Sequence, residues 1–185
     1  MQRYIGIALA CIGGAAVSFM LLPLEDATFA AALAIIAIIV AAIDLEFFII
    51  PDSANITIFV IGLFWVAMQA LPGEEMSDLT DAVFRSVAAG GALLVLRAFY
   101  RWRAGVDGLG LGDVKLAAAG APWLSWPLLP VMLAVAAIAA LAVVALRALA
   151  VRQAINRTAP LPFGAFLAPS IWLVFVLDRI GAGAF

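Results

Sequence analysis

The chain has 185 residues, of which 67% are hydrophobic and only 12% are charged, with a formal net charge of −2. Soluble domains carry about 25% charged residues, so this composition excludes an ordinary soluble protein and indicates a membrane protein. The charge offers no basic surface for nucleic acid. The chain has no histidine, which excludes Ser-His-Asp and Cys-His catalysis, and its single cysteine, Cys11, excludes an internal disulfide and a cysteine-cluster zinc site.

The apolar residues occur in blocks long enough to cross a bilayer rather than in amphipathic stripes. They predict an all-α, polytopic transmembrane helical bundle of six to seven membrane segments, forming one integral-membrane domain over residues 1–185. The predicted segments are 4–22, 28–50, 53–71, 82–99, 114–124, 127–149 and 162–181. The fifth is shorter than the about 20 residues that a full crossing needs, so we expect it to be tilted or partly re-entrant. Counting the fifth and sixth together gives six spans.

Basic residues orient the predicted bundle. They occur in two connecting regions, namely Arg97, Arg101, Arg103 and Lys115 in one and Arg147, Arg152 and Arg157 in the other. The predicted loop from Pro72 to Asp81 has no basic residue and is acidic. By the positive-inside rule the Arg-rich regions are cytoplasmic and the acidic loop is outside. Counting spans from there places Asp44 and Asp113 on the same, cytoplasmic face.

Two aspartates at the ends of apolar segments are the candidate catalytic residues. Asp44 ends the second segment, and Asp113 follows the block Gly110-Leu111-Gly112. A carboxylate against hydrocarbon is costly, which points to a functional role. Two adjacent carboxylates can share a proton: one removes a proton from water while the other donates to a scissile carbonyl. The glycines would let a substrate backbone or an opposing helix approach Asp113 closely.

Structural roles are the alternatives for the same residues. Asp113 could cap a helix beginning at Val114, and Asp44 could be an edge residue that reaches water, with Glu46 as its nearest competitor. Asp52, after Pro51, is predicted to be the N-cap of the third segment.

Three other features carry predictions with an alternative. Lys115 either anchors a helix end in the headgroups or acts beside the aspartates. The prolines and glycine of the segment Pro162–Pro169 predict a kink or a broken helix end where a substrate strand docks. Trp123 and Trp126 are predicted to be interfacial anchors.

Together these motifs resemble a known family. Asp44 with Ile50-Pro51-Asp52, the block from Gly110 to Leu116, and the run from Pro162 to Leu167 resemble the type IV prepilin leader peptidases in order and spacing. That family comprises integral-membrane aspartic peptidases of the bacterial inner (plasma) membrane. Its members cut a short basic leader from prepilins or pseudopilins, just after a glycine that precedes the hydrophobic helix of the substrate.

The resemblance implies that Asp44 and Asp113 are the catalytic pair at the cytoplasmic face, working without a cofactor or metal. Residues expected to support the site or contact substrate are Gly110, Gly112, Lys115, Pro51, Asp52, Pro162 and Gly164. Larger relatives carry a cytoplasmic insert with paired Cys-x-x-Cys motifs and N-methylate the new terminus. With one cysteine and no such insert, the chain resembles the cleavage-only, single-domain members found with Flp-type pili, so the resemblance implies a Flp-type prepilin substrate and action in the lipid bilayer. The alternatives are a presenilin-like intramembrane protease and a small proton-coupled transporter that uses the aspartates as a relay.

Overall fold

A computed structural model describes residues 2–70, 75–105, 108–151 and 161–182. Within these ranges the chain forms seven α-helices and one 3₁₀ helix, and six of the α-helices are long and apolar enough to cross a membrane. The helices are α1 (Gln2–Leu21), α2 (Leu24–Phe47), α3 (Asp52–Gln69), α4 (Glu75–Ala104), α5 (Leu111–Gly120), the 3₁₀ helix (Ala121–Trp123), α6 (Leu128–Val151) and α7 (Gly164–Ala182). The predicted all-α, multi-pass membrane fold is confirmed.

Helix α2 is the centre of the bundle and packs between α1 and α7. Its buried face is built largely from small residues, among them Ala27, Ala30, Ala34 and Ala37. Small side chains let neighbouring helices approach closely, which drives helix association where lipid supplies no hydrophobic force. The packing of α2 against α7 therefore fixes the positions of their ends. One end of each helix contributes to the candidate site.

The segment after α4 runs the length of the bundle although α5 is short. Near its start, Lys115 pairs with Asp52 in the first turn of α3. Beyond the 3₁₀ helix, the Trp126 indole donates a hydrogen bond of 2.8 Å to Asp81, near the start of α4. Because α3 and α4 are consecutive helices joined by a short connection, these two contacts lie at opposite ends of the bundle. The predicted fifth segment is thus a helix of 10 residues lengthened by the 3₁₀ turn.

Helix α4 is longer than the sequence analysis predicted. It begins at Glu75, so Asp78 and Asp81 lie in its first turns and not in a loop, and it continues to Ala104 through the Arg-rich region. Acidic residues at the start and basic residues at the end of a helix both interact favourably with its dipole, so they extended the helix instead of ending it. Residues 71–74 of the predicted acidic loop, and Arg152 and Arg157, lie outside the described residues.

Trp123 is a core residue, so its prediction as an interfacial anchor was wrong. It is 1% exposed, its indole N–H donates a hydrogen bond of 3.0 Å to the Ile58 carbonyl, and its ring stacks on Trp65. A Cβ atom on Gly62 would lie 2.6 Å from the Trp123 Nε1 atom, so only glycine leaves room for the ring. Trp126, which is 47% exposed, fits the predicted surface position.

A buried charge network joins α2, α3 and α7 at the end of the bundle opposite Asp44. Asp26, in the first turn of α2, is 5% exposed and accepts hydrogen bonds of 3.0 Å from Trp65, 2.8 Å from Gln69 and 2.8 Å from Arg179. The Arg179 guanidinium also lies 5.6 Å from the centre of the Trp65 ring. Asp26 and Asp44 are separated by 18 helical residues, about 27 Å along the axis. The network therefore fixes the packing of α2 against α7 at a distance from the candidate site.

Replacing Arg179 should destabilise the fold. Arg179→Met leaves the buried Asp26 carboxylate without its cation, so we expect the free energy of unfolding to fall by about 2–3 kcal/mol. Thermal unfolding of the purified protein in detergent measures this effect. Arg103→Met, at an exposed position in α4, is the matched control and should change stability little. Equal stabilities of the two variants would contradict the structural role of the network.

Candidate active site

Both predicted aspartates line one cavity at an end of the bundle. The cavity has a volume of about 270 Å³ and is formed by the end of α2, the loop to α3 and the start of α5. Asp44 and Asp113 are 4% and 8% exposed, so both carboxyl groups are buried. Glu46, the competitor for the first position, is exposed and does not line this cavity. The remaining lining residues are Phe48, Ile49, Ile50, Asp52, Gly110, Leu111, Gly112 and Lys115.

A residue in the left-handed conformation ends α2 one turn after Asp44. Phe48 has φ 55° and ψ 35°, and its N–H donates a hydrogen bond of 3.0 Å to the Asp44 carbonyl oxygen. Within the described residues it is the one non-glycine residue with positive φ. Glycine is the usual residue here, and a side chain in this conformation costs about 1–2 kcal/mol. The reversal directs the following loop back towards the aspartates.

Ile50 fills the space between two glycines from different helices. A Cβ atom on Gly112 would lie 3.2 Å from the Ile50 Cβ atom, and one on Gly164 would lie 2.4 Å from the Ile50 Cδ1 atom. Ile50 is 8% exposed. The sequence predicted that a substrate backbone or an opposing helix would approach the glycines closely. At Gly112 this close contact is made by Ile50 of the α2–α3 loop. This packing brings α2, α5 and α7 together around the two carboxyl groups.

Asp113 lies within the first turn of α5 and not ahead of the helix. The helix begins at Leu111, three residues before the predicted start at Val114, and the Gly110 N–H donates a hydrogen bond of 3.1 Å to Asp113 Oδ2. This is the reciprocal half of a capping box, in which a side chain in the first turn reaches back to the N-cap backbone. The capping interaction extends the helix backwards through Gly112 to Leu111, with Gly110 as the N-cap residue. Asp113 therefore caps α5 and also presents its carboxyl group to the cavity.

The start of α7 supplies backbone donors to the site. The Ala165 N–H donates a hydrogen bond of 2.8 Å to Asp44 Oδ2, and the Gly164 N–H interacts with both aspartates. The first N–H groups of a helix have no partner within the helix and carry its positive dipole end, so they stabilise a carboxylate. The role of Ala165 could not be predicted from the sequence, because a backbone N–H donor has no residue-type signature. The signal that could have indicated it is the Pro162-x-Gly164 helix start.

Asp52 and Lys115 form an ion pair at the opening of the cavity. The Lys115 Nζ atom lies 2.8 and 2.9 Å from the two Asp52 carboxylate oxygens, and both side chains are more than half exposed. The prediction that Asp52 is an N-cap was wrong, because Pro51 occupies that position and Asp52 makes no side-chain cap bond. Exposed pairs of this kind contribute about 0–1 kcal/mol, so the pair adds charge at the opening more than stability.

The two predicted prolines lie beside the site and do not line its cavity. Pro51 is the N-cap residue of α3, and Pro162 precedes the first residue of α7 by two positions. The broken helix end predicted for this segment is the start of α7, and the helix continues through Pro169. Among the described residues, no group of three or more histidine, cysteine or acidic side chains is placed to hold a metal ion.

Burial and the neighbouring charge raise the pKa of Asp113. Burial of the carboxyl group is the larger cause and the negative charge of Asp44 the second; together they raise the pKa of Asp113 from 3.8 to about 6. Backbone hydrogen bonds from Gly110 and Gly164 lower it in part. Asp113, in the short helix outside the six long spans, therefore keeps its proton at mildly acidic pH. A carboxyl pair in which one member stays protonated is suited to acid–base chemistry.

The raised pKa predicts a pH-dependent stability. Between pH 3.8 and about 6 the folded state retains a proton at Asp113 that the unfolded chain releases, so stability falls as pH rises through this window. Asp113→Asn removes this ionisation and can still accept the Gly110 hydrogen bond. We expect the variant to have a higher Tm than wild type at pH 8, with the difference shrinking towards pH 4. A Tm difference that does not vary with pH would contradict the burial of an ionisable group here.

The fold and the cavity define a multi-pass membrane protein with a buried pair of carboxyl groups. The chain belongs to the type IV leader peptidase family, whose profile matches residues 31–145 and includes both aspartates. This confirms the family indicated by the sequence motifs.

Three curated relatives illustrate the similarity, and each is called a prepilin leader peptidase/N-methyltransferase. The protein of Burkholderia pseudomallei is 32% identical over 69% of this chain and 39% of its own length. That of Aeromonas hydrophila is 29% identical over 72% and 44%, and that of Pseudomonas aeruginosa 27% identical over 72% and 44%. The chain thus aligns with less than half the length of these relatives. No solved structure matches the chain.

Proposed function

We propose that the chain is a membrane aspartic endopeptidase that cleaves the leader of a prepilin or pseudopilin. The observation that carries this proposal is the placement of two buried carboxyl groups, from α2 and α5, in one cavity against the first backbone N–H groups of α7. Such a pair can activate a water without a metal or a nucleophilic side chain. Family membership and the names of the relatives support the choice of substrate.

The two carboxyl groups have different surroundings, which suggests different roles. Asp44 accepts the Ala165 N–H at the positive end of α7, and this hydrogen bond stabilises a carboxylate. Asp113 has its pKa raised to about 6 and holds the shared proton. Asp44 then removes a proton from water as it attacks the scissile carbonyl, while Asp113 donates to the carbonyl oxygen. The proton taken by Asp44 passes to the leaving amine as the peptide bond breaks, and a hydroxyl group of the gem-diol intermediate returns its proton to Asp113.

The proposed location of the site is the cytoplasmic face of the bacterial inner membrane. Helix α4 ends with Arg101 and Arg103 in its last turn, and Gly110, the N-cap of α5, follows the end of α4 closely in the sequence. Basic residues at a helix end favour the cytoplasmic side. The end of the bundle that holds the aspartates is therefore the end at which α4 carries its basic last turn.

We also propose that the substrate is of the Flp type. Support comes from the resemblance of the motifs around Asp44, Asp113 and Pro162 to that family.

Cleavage by the reconstituted protein tests the proposal. The full chain, purified and inserted into vesicles, is incubated with a prepilin, and the new N-terminus is identified by mass spectrometry. We expect a cut just after the glycine before the apolar helix. A cut within that helix would instead indicate a presenilin-like protease. Proton flux across the vesicle membrane with no cleavage would indicate a transporter.

A further inference from the structure

A second, larger concavity lies beside the candidate active site. It is a groove of about 590 Å³ between α3, α4 and α5, referred to below as the α3–α4–α5 groove. Most of its wall is apolar or small, as shown by Ile56, Phe59, Val87, Gly91 and Ala118. Small residues on a membrane helix let another helix approach its backbone closely.

The groove and the active-site cavity are continuous. Asp52 and Lys115, the ion pair at the opening of the cavity, line both. A chain that leaves the two aspartates past this pair therefore enters the groove.

One polar side chain in the groove has unsatisfied hydrogen-bonding capacity. Asn55 is 6% exposed and lines the groove, and neither its Oδ1 nor its Nδ2 atom has a hydrogen-bond partner in the part of the chain that the structure describes. An unpaired buried amide is costly and is uncommon in folded proteins, so each case requires an explanation. Asn55 lies three residues beyond Asp52, about 4.5 Å further along α3 from the opening.

We propose that the α3–α4–α5 groove binds the first turns of the apolar substrate helix and that Asn55 positions the start of that helix. This inference rests on the proposed function. A helix that begins near the scissile bond has free backbone N–H groups in its first turn, and asparagine is a favoured acceptor for them. The amide lies close to the opening shared with the cavity, where such a turn would lie. The apolar wall accommodates the side chains that follow.

Gly91→Leu tests the groove without disturbing its walls. A Cβ atom on Gly91 meets no protein atom within 4 Å, so a leucine there projects into free space at the groove. Gly13→Leu in α1 is the matched control, because its Cβ position is equally open and lies on a different helix. Both replace a helical glycine and leave the internal packing intact.

The measurement compares two substrates in vesicles. One is a prepilin with its apolar helix, and the other is a peptide that contains the leader and cleavage site but lacks the helix. For Gly91→Leu we expect KM for the prepilin to rise about tenfold, an effect comparable to losing about 1.4 kcal/mol of binding. The ratio of kcat/KM between prepilin and peptide should fall with it. Gly13→Leu should keep the wild-type ratio.

Asn55→Leu should lower the same ratio by about threefold to tenfold, the effect of losing one hydrogen bond. Asn55→Ser keeps an acceptor and should restore part of the loss, which a role in packing alone would not produce.

The outcomes separate this inference from the proposed function. If wild type cleaves neither substrate, the proposed function fails and the groove inference fails with it. If wild type cleaves the prepilin and Gly91→Leu has the same KM, the groove inference is overturned while the peptidase stands. Equal losses on both substrates would show that the substitution acts on the fold or on the active site and not on binding of the apolar helix, which would also overturn it.

Discussion

Asp44→Asn and Asp113→Asn each reduce leader cleavage by at least about 10³-fold, because each removes one of the two proton-transferring groups of the proposed mechanism. Both side chains are buried in the same cavity, and an asparagine is nearly the same size as the aspartate it replaces. The fold should therefore survive while the chemistry is lost. The assay follows leader removal as a gel shift when the chain is expressed together with a prepilin.

Glu46→Gln is the matched control for these substitutions. It removes a carboxylate two positions from Asp44, but Glu46 is exposed and outside the cavity lining, so cleavage should continue at close to the wild-type rate. Robust processing by either Asp44→Asn or Asp113→Asn would refute the two-aspartate mechanism. Loss of processing in Glu46→Gln would indicate that Glu46, and not Asp44, is the first catalytic carboxylate.

Gly164→Ala should reduce cleavage by about 10- to 100-fold because it displaces the start of α7 from Asp44. The added Cβ atom would lie 2.4 Å from Ile50 Cδ1 and 3.0 Å from Asp44 Oδ2. Ile50 cannot move away freely, because it is 8% exposed and belongs to the packed hydrophobic core. The clash is therefore relieved by a shift of α7, which lengthens the Ala165 hydrogen bond.

Two further variants identify the cause of this loss. Gly181→Ala lies at the other end of α7, where a Cβ atom meets nothing within 4 Å, and should leave cleavage unchanged. Adding Ile50→Val to Gly164→Ala removes the Cδ1 atom that causes the closest contact, so the double variant should regain activity. If the double variant is no better than Gly164→Ala alone, the steric explanation is wrong.

Much of the site could be anticipated from residue type and order. Carboxylates at the ends of apolar segments are rare enough to identify Asp44 and Asp113, and the glycines around Asp113 indicated close packing. Local propensity misled at Asp52 and Trp123. An aspartate after proline is a common N-cap and a tryptophan near a turn is a common interfacial residue, but here an ion pair with Lys115 and a stacked ring on Trp65 prevailed. Both partners are distant in sequence.

The sequence by itself determined the membrane fold, the family and the two candidate aspartates, because hydropathy, short motifs and residue type can each be recognised within one segment of the chain. Only the tertiary structure decided what surrounds that pair. The Ala165 N–H on Asp44, Ile50 between two glycines, and the unpaired Asn55 amide in a groove joined to the cavity all depend on contacts between separate helices. Backbone donors and empty space have no residue-type signature, so their positions follow only from how the helices pack.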